Sequence, residues 1–160
     1  MNSKKLNALK TLTKELEQLR NEPIYTCGVT VGAINNDPFH WNITMLGPKN
    51  TPYEGGLFNI IADFPENYPD KGPKMRFVNK MYHCNIDAQG NICISTLSKW
   101  KPKSNMSEVL PIIFALFFMQ NPDSAFDSRK SNLYKTNRAE FDKNAREYTQ
   151  KYANPSNPCM

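Results

Sequence analysis

A change of period at Pro23 constrains this chain most. Before it, Leu6, Leu9, Leu12, Leu16 and Leu19 recur at steps of three and four, the stripe of an amphipathic helix, with Ser3 as the expected cap and Pro23 as the stop. After it the step falls to two. Cys27, Val29, Val31 and Ala33 alternate with Thr26, Gly28, Thr30 and Gly32; Asn35-Asn36-Asp37-Pro38 makes a turn; then Phe39, Trp41, Ile43 and Met45 alternate in the same way. Those runs predict a hairpin. Gly47-Pro48 and Gly55-Gly56 bracket a loop, a third strand is expected over 57–64, and a fourth over 75–78 after the proline-rich 65–73 segment. An antiparallel meander is the economical arrangement of four such strands.

No period survives from 82 to 104, where glycine, asparagine, serine and proline interrupt single apolar residues, and an ordered stretch of that length is usually functional. The next run, 109–119, is almost wholly apolar and reads as a buried helix. With Ser107 as its cap, Pro111 takes the fourth helical position, where the missing N–H has no intrahelical partner to lose; a helix starting a turn earlier would be kinked there. Asp127 is the expected cap of a short helix reaching about Tyr134, and Phe141, Ala145, Tyr148 and Tyr152 mark a last helix before a Pro-Ser-Asn-Pro tail. A chain of 160 residues, 39% apolar and 22% charged, suits one domain with its own core, here 1–153 followed by a tail over 154–160.

Composition narrows the function classes. No run approaches the ~20 apolar residues of a membrane span, and the start is basic but amphipathic rather than a leader, so a cytoplasmic or nuclear address without a membrane partner is expected. Cysteines at 27, 84, 93 and 159 show no paired spacing, which favours reduced thiols. Twenty basic against fifteen acidic side chains give +5, with Lys4, Lys5, Lys10 and Lys14 on the first segment. That suits a solvated helix face, an acidic protein partner or nucleic acid.

The chemistry concentrates between His83 and Cys93. Asn85 precedes Cys93 by eight residues, and Gly90 lets the chain turn between them. A thiol of ordinary pKa is only ~3% thiolate at pH 7, yet sulfur attacks an activated carbonyl without a strong base. A carboxamide beside it can donate to the oxygen of a tetrahedral intermediate. Three other readings stand next to this one: inert packing for the cysteines, with Cys27 on a strand face and Cys159 in the tail; a zinc site from His83, Cys84 and Cys93, which lacks a fourth ligand at finger spacing; and hydrolysis with His83 as base, for which only His40 offers a second histidine.

Taken together, the residues resemble the ubiquitin-conjugating enzyme family along nearly the whole chain. The landmarks are Phe39-His40-Trp41, Gly47-Pro48-x-x-x-Pro52-Tyr53-x-Gly55-Gly56, Phe64-Pro65-x-x-Tyr68-Pro69, Tyr82-His83-x-Asn85, Gly90-x-Ile92-Cys93, Trp100-x-Pro102 and Asn121-Pro122-Asp123. The ending, Tyr134-Lys135-Thr136 through Arg146-Glu147-Tyr148-Thr149-Gln150-Lys151-Tyr152-Ala153, is similar to the class that consists of the catalytic core alone. The resemblance implies an α+β fold: an N-terminal helix, a four-stranded antiparallel sheet, a loop carrying the cysteine, then C-terminal helices.

It also implies that Cys93 takes ubiquitin from an activating enzyme as a thioester and passes it to a lysine amine, usually with a ubiquitin ligase. Asn85 would steady the loop or the oxyanion, His83 would hold Asn85 through a backbone hydrogen bond, and Tyr82 would line the acceptor's approach, with Ser95, Asp123 and Ser124 in support. Lys10 and Lys14 on the first helix, with Pro69, Asp70 and Lys71 and with Lys101 and Pro102 on two loops, would meet activating enzyme and ligases in turn. No metal or cofactor, no nucleic acid and a monomer are the corresponding expectations. Carriage of another ubiquitin-like modifier, or a non-catalytic ubiquitin-binding scaffold, are the alternatives.

Four departures from the family pattern stand out. Cys84 replaces the proline of the family's His-Pro-Asn tripeptide, which frees a backbone N–H and adds a thiol. Asp70 stands where a phenylalanine commonly docks ligases. Ser95 and Ser124 replace acidic side chains. Pro111 and Ala115 lie where the second helix cradles donor ubiquitin.

Overall fold

The amphipathic leucine stripe folds as predicted into a helix, α1 (Ser3–Asn21), whose inner face buries Ala8, Leu12 and Leu16. The computed structural model describes residues 2–21, 28–92, 100–101 and 104–155; Cys27, Cys93, Ser95, Pro102 and Cys159 lie outside them. The cap is Asn2 rather than Ser3, because the Asn2 side-chain oxygen accepts the Lys5 N–H at 2.7 Å while Ser3 is already helical. Leu6 is exposed and Leu19 half-buried, so the stripe's two ends overhang the core.

Strands β1 (Val29–Ile34), β2 (Asp37–Leu46), β3 (Leu57–Asp63) and β4 (Lys74–Phe77) form one antiparallel sheet in the order β1-β2-β3-β4, the predicted meander. The first turn is tighter than expected. Asn35 and Asn36 take φ of 52° and 59°, the left-handed region that asparagine tolerates and a two-residue hairpin needs, and Asp37-Pro38 already belongs to β2. Period two then sets the core: Trp41, Ile43 and Met45 from β2, Phe58, Ile60 and Ala62 from β3, and Met75 and Phe77 from β4 are all buried.

Among the described residues three helices follow: α2 (Met106–Ala115), α3 (Ser128–Thr136) and α4 (Arg138–Tyr152). Helix α2 starts before the position expected from Ser107. Asn105 is its cap, accepting the Glu108 N–H at 3.1 Å, and the Met106 N–H is taken by Glu15 of α1 at 2.8 Å. Pro111 is therefore the sixth helical residue, inside the helix, and the expected 109–119 helix gives way to turns after Ala115. Asp127 caps α3 through the Arg129 N–H, as predicted, and Asn137 caps α4. The fold is α+β: one helix, a four-stranded sheet, then the helices that close over the region after β4.

Candidate functional site

Beyond β4 the chain leaves regular structure but stays tied to it. Phe77 and Gly90 are joined by a backbone bond of 2.8 Å, and Gly90 has φ of 87° with its α-carbon so close to the Phe77 carbonyl that a Cβ would lie 1.8 Å from that oxygen. Only glycine fits there. Asp87 organises the turn before it, its side chain accepting the Gln89 and Asn91 N–H groups at 3.0 and 2.8 Å. Ile86 pairs with Ile92 in an isolated antiparallel bridge, so the described chain runs alongside its own His83–Ile86 segment up to the residue before Cys93.

His83, Cys84 and Asn85 are each 1% exposed. Polar groups this deep need partners, and they find them in the stretch from Leu116 to Phe126. The His83 Nε2 donates to the Leu116 carbonyl at 2.7 Å, while its Nδ1 accepts the Asn85 N–H at 3.0 Å. Burial pushes the ring down to about 4 from its ordinary 6.5, further aided by the nearby Lys130 charge, so it is neutral at physiological pH. Both ring nitrogens are engaged, which leaves His83 no lone pair for zinc.

Asn85 faces the same stretch. Its Oδ1 accepts the Asn121 N–H at 2.8 Å, and its Nδ2 donates to the carbonyls of Asn121 at 2.8 Å and Ser124 at 3.3 Å. The amide nitrogen thus donates to the backbone oxygens of the cap and of the last residue of the short 3-10 turn Pro122–Ser124. That turn is itself anchored: Asn121 accepts the Asp123 N–H, its Nδ2 donates to the Ser124 hydroxyl at 3.2 Å, and the exposed Asp123 carboxylate holds Lys135 of α3 at 2.8 Å.

Cys84 brings its backbone more than its sulfur. The N–H freed by the absence of proline donates to Gln120 Oε1 at 2.7 Å, and the carbonyl accepts the Phe126 N–H at 3.2 Å. Burial pushes the thiol up to about 11, so at neutral pH it stays protonated and makes a poor nucleophile. Tyr82 is half-buried, its ring against Phe141 and Tyr148 of α4 at 4.9 and 5.5 Å, with the Lys130 ammonium 5.0 Å over the face. Beside the segment opens a cleft of about 480 Å³ whose walls include Asp87, Gln89, Phe126 and Lys130.

The structure therefore brings Tyr82, His83, Asn85, Asp123 and Ser124 together. It also gathers the surface residues singled out in the sequence. Lys10 and Lys14 are exposed on α1; Glu15 of the same helix accepts the Tyr68 hydroxyl at 2.6 Å; the Trp100 indole donates to the Pro69 carbonyl at 2.9 Å; and Asp70, Lys71 and Lys101 are exposed on the two loops so joined. Sequence reasoning missed Glu15, Tyr53 and Gln120. Glu15 lies on the polar side of the leucine count, yet it is only 9% exposed. A family model described as ubiquitin-conjugating enzyme matches residues 11–149, a span that contains every site residue named here apart from Lys10.

Proposed function

The chain belongs to the ubiquitin-conjugating enzyme family, and on that premise we propose that Cys93 accepts ubiquitin as a thioester from an activating enzyme and passes it to a lysine amine. In the transfer step the amine lone pair attacks the thioester carbonyl carbon, the tetrahedral intermediate collapses, the C–S bond breaks, Cys93 leaves as thiolate and the amine's extra proton goes to water. What supports the reading is the immobilised His83–Asn85 turn together with the Ile86–Ile92 pairing, which aligns the chain leading into Cys93 with the chain leading out of Asn85.

Asn85 acts first as the clasp on the 121–124 turn. Of its two donor contacts the 3.3 Å one to Ser124 is the weaker, and it is the one exchanged for an oxyanion during transfer. His83 fixes Asn85 by accepting its N–H. The exposed cations of α1 and the joined 68–71 and 100–101 loops form the face offered to activating enzyme and ligases.

A loading assay tests this. With activating enzyme, ATP and ubiquitin, the protein gives a thiol-sensitive adduct on a non-reducing gel, Cys93→Ser gives a more stable oxyester, and Cys93→Ala gives none; a thiol-sensitive adduct surviving in Cys93→Ala overturns the assignment. Asn85→Ala still loads but discharges to free lysine at least about 100-fold more slowly, the scale of losing one oxyanion donor. Adduct formation only with the activating enzyme of another modifier would reassign the cargo.

A further inference from the structure

The His83-Cys84-Asn85 turn differs from the family's tripeptide at its middle residue, where a ring gives way to a backbone N–H and a thiol side chain. A proline there locks φ near −65° and has no N–H; a cysteine leaves φ unlocked and adds a donor inside the protein. A buried unpaired N–H is costly, so that donor needs an acceptor. Gln120 supplies it, and what Gln120 does with its other end follows from the chemistry of each group.

The Cys84 N–H can only donate, so Gln120 must present its Oε1, at 2.7 Å. Its Nε2 is thereby turned to the Tyr53 hydroxyl, to which it donates at 2.8 Å. The Tyr53 oxygen, having accepted, gives its own hydrogen to the Tyr82 carbonyl at 2.7 Å. Tyr53 is 1% exposed, and its ring is wedged among Phe58, His83 and Phe117, so the hydroxyl has one place to be. The result is a one-way chain that grips the backbone on both sides of His83: the N–H of Cys84 directly, and the carbonyl of Tyr82 through Tyr53.

We propose that Gln120 is a positioning residue of the transfer reaction, a side-chain brace that substitutes for the missing proline ring and keeps the Asn85 amide aimed at the Asn121–Ser124 turn. This rests on the conjugating activity proposed above. The described hydrogen bonds of Gln120 go to the Cys84 N–H and the Tyr53 hydroxyl, so it acts through the turn that carries Asn85. Brace and ring are alternatives, since a ring carbon bonded to the nitrogen of residue 84 would point at the Gln120 oxygen, now 2.7 Å from that nitrogen, and clash with it.

The experiment compares the parent protein, Gln120→Ala, Cys84→Pro and Cys84→Pro/Gln120→Ala. Each is loaded, chased, and discharged against a titration of free lysine. Gln120→Ala is expected to load normally and to lose about tenfold in maximal discharge rate with the half-saturating lysine concentration unchanged, whereas on the Cys84→Pro background the same substitution changes discharge by less than about twofold. Hydrogen exchange at the Cys84 amide gives a reading that needs no activity: it quickens in Gln120→Ala. Should Gln120→Ala fold poorly, Gln120→Glu keeps the acceptor for Cys84 and loses the donor to Tyr53, and it is expected to fall between the two.

An equal loss on both backgrounds, or no loss and no change in exchange, overturns the brace. A parent protein that never loads overturns the conjugating reading instead, while Cys84 amide exchange still reports whether the brace holds the turn.

Discussion

His83 is an uncharged wedge, and its neutrality can be read out in stability. The folded protein refuses a proton that the unfolded chain takes up below the ordinary 6.5, so stability is full above that pH and drains away as pH falls toward about 4. Over that window the loss is on the order of 3 kcal/mol for one buried imidazole. Urea titrations at intervals from pH 7 to 4.5 should therefore show a falling midpoint, and His83→Gln, which retains a donor for Leu116 but does not titrate, should flatten the fall. Equal slopes in the two proteins would remove His83 as its source. The spacing of Asn85, Gly90 and Cys93 made an amide near a thiol legible, whereas His83 as the support of Asn85 came only from the family resemblance. The partners of Asn85 were not legible from local pattern, since Asn121 lies 36 residues from it; only the family resemblance singled out the Asn121-Pro122-Asp123 run and Ser124. Gln120 had a faint signal, since a missing proline announces a donor that something must satisfy.

Elements were easier than their ends. Period located α1 and the first two strands and turn residues bracketed the other two, whereas the caps shifted to Asn2 and Asn105 because several small polar residues compete near each start and tertiary contacts choose among them. Glu15 shows why. It reads as one more solvated charge, yet it joins three elements by accepting the Tyr68 hydroxyl and the Met106 N–H at the head of α2. Burial pushes its carboxyl above the ordinary carboxylate value despite both bonds. Glu15→Ala leaves two inner donors unpaired and should cost about 2–4 kcal/mol, measured by denaturant unfolding. Glu15→Gln retains an acceptor and should cost less; a loss as large as that of alanine would mean that the packing, and not the hydrogen bonds, matters at this joint.

At the scale of the whole molecule, Lys10 and Lys14, two of the twenty basic side chains, are exposed on α1, the helix tied through Glu15 to the loops that Tyr68, Pro69 and Trp100 hold together, and the proposed function puts the activating enzyme there. Lys10→Glu/Lys14→Glu should slow loading by activating enzyme about tenfold at low salt, with the deficit shrinking as ionic strength rises, while discharge of already loaded protein to free lysine is unaffected. A deficit insensitive to salt would point to a steric contact instead.

Helix α1 and the β1–β2 hairpin were predictable because each repeats its own period, whereas the aperiodic apolar run of α2 gave its existence but not its ends. The seam where 82–85 meets 116–126 was not, because it joins two irregular stretches that share no pattern. That seam also has a temporal meaning. A chain still being synthesised, with everything up to position 110 outside the ribosome, already has its tripeptide but not one of the groups at Leu116, Gln120 or Asn121 that hold it. On the proposed reading the nascent chain stays inert until residues 116–121 have emerged and joined the tripeptide.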